Sequence, residues 1–311
     1  MAAKFYRKRT LLAKIETTYG TDPTPSGSDA VKVRNLAITP VESEVINRDL
    51  VRSYLGNSPQ LIANTRVSVT FEVEYCGSGA AGTAPRYGSI LKACGFSETI
   101  SAGTSVTYAP VSSSFSSVTL YYSADGLRHK VTGCRGTFSL NLTANQIPVI
   151  NFTMTGLYNA PTDTADPTPT FTNQADPQIF NDTNTTTFSL FSSSALPLQS
   201  CQVDVGNDIA YRELVNSDKE VVLTNRAASG SFVIEAPTLA TKDFFATAVA
   251  GTTGALNLVH GTNAGNIITL AAPVVSLGNP AYSEDQGVIM LNLPVTFAPS
   301  SGNDELTLTL T

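Results

Sequence analysis

Two histidines, four cysteines and a few closely spaced carboxylates are the residues through which this 311-residue chain could do chemistry. His129 lies in Leu127-Arg128-His129-Lys130 and His260 in Val259-His260-Gly261-Thr262, and neither is near a Gly-x-Ser-x-Gly elbow that would present a nucleophilic serine. Both read as structural or surface histidines. Cys76, Cys94, Cys134 and Cys201 show no metal-ligand spacing and no Cys-x-x-Cys, so they read as reduced, buried, small side chains. Cys76-Gly77-Ser78-Gly79-Ala80-Ala81-Gly82 has the glycine content of a phosphate-binding loop. It lacks the Gly-Lys-Ser/Thr ending and the long helix such a loop needs, and reads as a turn. Glu72 and Glu74 would share one face of a strand, whereas glycoside hydrolysis needs carboxylates on both sides of a sugar. The chain has no Trp for a sugar platform, and its aspartates at 163, 166, 204 and 208 lack the spacing of a calcium loop. The expectation is a protein with no catalytic, cofactor or metal site.

The elements that would carry these residues are strands. Charged residues make up 14% of the chain, against about a quarter in ordinary soluble proteins, while Thr, Ser, Ala, Val and Gly dominate. That composition suits short strands and turns, with much of the surface meant to be covered. A net charge of -6 argues against gripping nucleic acid through a basic face. The one basic cluster is Lys4, Arg7, Lys8 and Arg9. No apolar run follows it, so neither a secretory leader nor a membrane anchor is expected, and cytoplasmic synthesis is.

Alternation is cleanest at 65–75, where Val67, Val69, Phe71, Val73 and Tyr75 face one way and Arg66, Ser68, Thr70, Glu72 and Glu74 the other. Further strands are expected at 10–17, 30–38, 105–110, 116–122, 128–132, 136–143 and 147–156. The charged, partly apolar segment 42–64 reads as a long docking loop. The run Tyr158-Asn159-Ala160-Pro161-Thr162-Asp163-Thr164-Ala165-Asp166-Pro167 opens a linker without regular structure. The tail 303–311 alternates to its end and should be paired, or it would be an open edge.

Much of the chain is said twice. Asn47-Arg48-Asp49-Leu50-Val51-Arg52-Ser53 precedes the strand at 65–74, and Tyr211-Arg212-Glu213-Leu214-Val215-Asn216-Ser217 precedes Gly230-Ser231-Phe232-Val233-Ile234-Glu235. A short helical stretch ending in glycine follows each, at 87–95 and 241–251, with Thr241 as the expected N-cap of the second. Val106–Pro110 then matches Ile268–Pro273, and Gly136–Leu142 matches Gly287–Leu293. The reading is two tandem units, 1–160 with an N-terminal arm and 187–311, joined by a Pro/Thr/Asp-rich linker at 161–186.

With these residues in view, Leu11–Pro23, Val33–Pro40, Asp49–Arg52 and Phe152–Asp163 resemble the wording of siphophage major tail tube proteins. The resemblance covers essentially the whole chain. It implies a mainly β fold of two tail-tube-type β-sandwich units, each with one short flanking helix. Neighbouring subunits would join their inner sheets into a closed β-barrel ring, here a trimer with pseudo-sixfold symmetry. Stacked rings would form a channel for genome ejection. The tape measure protein and viral DNA would lie inside, and tail terminator and distal tail proteins at the ends, in a virion tail assembled in the host cytoplasm. Lys4, Arg7, Arg9, Arg48, Asp49, Arg52, Arg212 and Glu213 are the residues expected between rings, and Glu72, Glu74 and Glu235 those expected to face the lumen. The tube of a contractile or tail-like particle, and a decoration or receptor-binding virion protein, are the other readings.

Overall fold

The computed structural model describes residues 3–194 and 196–311. Strands β1 (Arg9–Ile15), β2 (Ala30–Val31), β3 (Arg34–Ile46) and β4 (Leu61–Glu74) precede helix α1 (Gly88–Ala93). The hairpin β5 (Phe96–Ser101) and β6 (Ser105–Pro110) follows, then β7 (Val118–Ala124), β8 (Leu127–Thr143) and β9 (Val149–Tyr158). After the two-residue β10 (Thr162–Asp163) come β11 (Thr185–Leu190), β12 (Ser193–Ser194), β13 (Leu198–Asp204), β14 (Asn207–Arg212), β15 (Glu220–Arg226) and β16 (Ser229–Glu235). Helix α2 (Phe244–Val249) leads into β17 (Thr253–His260), β18 (Ile268–Leu277), β19 (Ala281–Asp285), β20 (Val288–Ala298) and β21 (Thr307–Leu310).

Two sheet layers enclose the core. One runs laterally β3-β4-β9-β8-β13-β16-β20-β19, with every neighbouring pair antiparallel. The other runs β5-β6-β21-β18-β17-β11-β12. Each layer crosses from the first half of the chain to the second. In the first layer the crossing is β8 against β13; in the other, the C-terminal strand β21 lies between β6 and β18. The tail is thus paired on both sides. It is shorter than its alternation suggests, because Asp304 accepts the Ser300 and Ser301 N–H groups and holds 300–304 in a turn.

Period-2 patterning decides which side chains enter the core. Phe71 of β4, Phe152 of β9 and Phe138 of β8 sit side by side, with ring centroids 5.3 and 5.7 Å apart, and all are buried. Phe232 and Ile234 of β16 and Leu291 and Leu293 of β20 continue the same face. Burying a side chain of this size contributes about 1.5–3 kcal/mol, so these rows set the register of the sheet.

Several elements differ from expectation. Segment 42–64 is a loop only in its middle: β3 runs on to Ile46 and β4 starts at Leu61, with Val45 opposite Ile62 and Ile46 opposite Leu61. Cross-strand pairs of branched residues extend the hairpin and leave only 47–60 unpaired. Residues 127–143 form one strand, bulged where the sequence suggests a break near Gly133. Asp243, not Thr241, caps α2 by accepting the Ala246 N–H at 2.8 Å. The linker is laid against the first half rather than free: the Gln174 amide accepts from Lys32 N and donates to Lys32 O, each at 2.9 Å. Gly136–Leu142 and Gly287–Leu293 are not counterparts in the sheet, since β20 stands beside β16 as β9 stands beside β4. Among the described residues no barrel closes within one chain, because β3 and β19 each have a partner on one side only.

Candidate functional site

The residues with reactive side chains are placed for structure. Cys76, Cys94, Cys134 and Cys201 are free and buried, and burial pushes the Cys76 thiol up to about 12 and the others upward too. His260 is buried, with Nε2 against the Gln178 carbonyl at 3.2 Å and Nδ1 against the Thr185 hydroxyl at 3.1 Å. His129 packs edge-on against Tyr122, and desolvation lowers its pKa. The glycine-rich turn is a packing device: a Cβ on Gly77 would lie 2.0 Å from the Gly265 carbonyl oxygen, so only glycine permits that approach of the two halves. Among the described residues no group of three or more His, Cys, Asp or Glu is placed to hold a metal. No helix is long and apolar enough to cross a membrane.

The surfaces without partners are where function must lie. The first is the face of the eight-stranded layer opposite the core. One lateral row on it reads Arg34, Glu72, Asn151, Ser139, Asp204, Ser229 and Thr296 across successive strands. The next row reads Glu74, Val149, Asn141, Gln202, Ser231 and Pro294. Hydroxyls and amides dominate, and around β8, β13 and β16 the surface forms an open concavity of about 410 Å³. Glu72, Glu74 and Glu235 all lie on this face. Glu72 is held by Asn35 at 2.8 Å and lies 3.9 Å from Arg34, whereas Glu235 is exposed.

The second kind of surface is the pair of free edges of this layer, β3 and β19. Sequence reasoning missed β19, because five residues of mixed polarity between turns carry little strand signal. Tyr282 of β19 is 68% exposed and touches Phe245 just outside the core.

The third is formed by hairpins. Hairpin β14–β15 leaves the sheet between β13 and β16 and leans back on the first half of the chain. Asn207 donates to the Cys94 carbonyl at 2.7 Å and to the Gly136 carbonyl at 3.0 Å, and the Val221 N–H donates to the Tyr19 hydroxyl at 2.6 Å. Burial pushes the Tyr19 phenol up to about 12, against the opposing effects of the Val221 N–H and Arg135. Arg212 and Glu213 are at the exposed tip, where Glu213 pairs with Lys219 at 2.9 Å. The hairpin of β3 and β4 has no such seat, and its tip carries Arg48, Asp49 and Arg52. Of the N-terminal cations, Lys4 and Lys8 are tied to Asp125, Arg9 packs beneath Tyr6, and Arg7 is exposed. The residues expected between rings thus come from three elements, the N-terminal segment and the two hairpins.

Buried or paired reactive groups, a polar concave sheet face and unpartnered strand edges define a structural β protein. The sequence matches the phage tail tube protein family over residues 7–298, nearly its whole length, and the chain belongs to that family. It is a structural component of the phage tail that assembles with itself into a tube, and not an enzyme. A comparison with curated proteins found no match.

Proposed function

We propose that the chain is the major tail tube subunit of a long-tailed, non-contractile phage, and that three copies close into a ring whose inner wall is the eight-stranded layer. One observation carries this: that layer has a polar face, concave around β8, β13 and β16, and ends in two unpaired edges, β3 and β19. Exposed strand edges in a Thr- and Val-rich chain are an aggregation hazard unless something pairs them. A closed ring pairs both edges of this layer.

The recurring order of elements supports two fused units, 1–160 and 187–311, with 161–186 as the connection. A strand, a hairpin excursion, a return strand, a short helix and a second hairpin follow in both halves: β3-β4-α1-β5-β6 and β13-β14-β15-β16-α2-β17-β18. Each half gives four strands to the inner layer. Three chains of eight strands make 24, which at about 4.8 Å per strand gives a circumference of about 115 Å and a diameter of about 37 Å before tilt. A DNA duplex fits through that opening.

The polar face then lines the channel and lets the genome and a tape measure protein slide past without sticking. The exposed tip of hairpin β14–β15 and the N-terminal segment face the next ring, with terminator and distal tail proteins capping the ends and assembly taking place in the host cytoplasm. Cryo-electron microscopy of purified protein assembled into tubes tests this. A continuous central β wall of three identical chains per ring is the expected result. Separate beads with no shared inner sheet would overturn it.

A further inference from the structure

We infer that the hairpin formed by the ends of β3 and β4, residues 41–62, seats laterally on the bare C-terminal end of α2 in the adjacent copy of this chain. The inference rests on the ring reading above and names the clamp that would hold its joints.

The arrangement exists once inside the chain. The hairpin β14–β15 springs from between β13 and β16, and β13 pairs with β8 of the other half. That hairpin covers the end of α1. Cδ1 of Leu223 lies 3.0 Å from where a Cβ on Gly95 would be, with Phe115 beside it, and Gly95 is the positive-φ residue that ends the helix. Val221 of the same hairpin is fully buried.

Helix α2 ends the same way, with Gly251 at φ 61, but nothing lies within 4 Å of its Cβ position. Its neighbour Val249 is 91% exposed. A covered helix end in one half thus corresponds to an open, apolar one in the other. The hairpin that could cover it is also on the surface. Residues 41–62 spring from between β3 and β4, the place that β14–β15 has between β13 and β16. They carry the same kind of cross-strand pair, Val45 opposite Ile62 where the seated hairpin has Ile209 opposite Leu223. Val45 and Ile62 are exposed, and Val51 and Leu55 beyond them are wholly so. Apolar surface of this kind marks an interface.

Topology selects the occupant. The hairpin beside β13 falls on the half that supplies β8. When β3 pairs with β19 of a neighbour, the hairpin beside β3 falls on the half that supplies β19, and that half contains α2. A second copy of the chain is therefore the partner, within one ring and not between rings.

Two variants test this. Ile62→Cys combined with Val249→Cys should give interchain cross-links with a short bismaleimide in assembled tubes and none in dilute monomer; the four native cysteines are buried and do not compete. Val45→Asp combined with Ile62→Asp changes exposed positions, so the monomer should keep its circular dichroism and melting temperature while forming no rings. Tubes without the cross-link would overturn the inference. So would complete, unstacked rings from the double aspartate variant, which would put the hairpin between rings. Wild-type protein that forms no rings at all would instead sink the ring reading on which the inference rests.

Discussion

Arg135 of β8 and Glu220 of β15 lie 2.9 Å apart and tie the second hairpin to the first half of the chain. The guanidinium is 9% exposed and also donates to the carbonyls of Val221 at 2.7 Å and Phe115 at 3.0 Å, with the Tyr19 ring 4.8 Å away. Glu220 is 45% exposed. The two partners should therefore respond unequally to mutation. Arg135→Met leaves buried carbonyls unpaired and should destabilise the unassembled chain by about 3 kcal/mol. Glu220→Gln should cost under about 1 kcal/mol, because a half-exposed carboxylate is still solvated. Urea midpoints of the two variants check this, and equal shifts would contradict it.

If β3 of one copy pairs with β19 of the next, the joint has a definite register. Within the chain, Asn141 of β8 faces Gln202 of β13, and Ser139 faces Asp204. Gln202 stands beside Ser231, the residue before buried Phe232, and Ala37 stands beside Thr70, the residue before buried Phe71. Asn141 connects through Val149 to Glu74, three residues after Phe71; Ser283 connects through Met290 to Glu235, three residues after Phe232. Ser283 of one copy is thus expected opposite Ala37 of the next, with Asp285 near Arg34. Ala37→Cys combined with Ser283→Cys should form an interchain disulfide in assembled rings. Ala37→Cys combined with Tyr282→Cys should not, because adjacent residues of a strand face opposite ways. The reverse pattern on a non-reducing gel would show a one-residue slip.

Stability should fall between pH 7 and pH 5.5, in part through His260. The unfolded side chain takes up a proton near pH 6.5, whereas burial holds the folded imidazole below its ordinary value. A folded-state pKa that is lowered means that the unfolded chain binds more protons as pH drops. The contribution is present above about 6.5 and is lost as pH falls toward the folded value. His129 shifts in the same direction and for the same reason, desolvation. His260→Gln should lower the urea midpoint at pH 7 and flatten its decline toward pH 5.5, while His129→Gln separates the share of the other histidine. An unchanged slope in both variants would remove histidine from the explanation.

The sequence makes legible what period-2 patterning controls. The faces of β4, β9 and β16 follow from Val67 to Tyr75, Ile150 to Met154 and Phe232 to Ile234, and the two short helices follow from their terminal glycines. What it hides depends on contacts between distant segments. Nothing in residues 281–285 announces a strand, since β19 exists only by pairing with β20. Nothing local distinguishes Gly206 to Arg226, which finds a seat through Asn207 and Val221, from 42–64, which finds none. The pairing of Gly136–Leu142 with Gly287–Leu293 misleads because both are glycine-led apolar strands, and similar composition does not fix position in a sheet.

The charge on the concave face gives the sharpest test of how the tube would work. Glu72 is a poor probe, because Asn35 and Arg34 hold it and its loss would disturb the β3 edge. Glu74 and Glu235 have no ion-pair partner among the described residues and point away from the core. If they face passing DNA, they repel phosphate and keep it from adsorbing to the wall. Glu74→Lys combined with Glu235→Lys should leave tubes of normal diameter, since the substitutions touch neither edge nor hairpin seat. Genome release from virions carrying the variant should slow at low salt and recover at high salt, because added ions screen the new attraction. Release that is equally fast at every ionic strength would mean that these carboxylates do not line the DNA path, and that the concave face looks elsewhere.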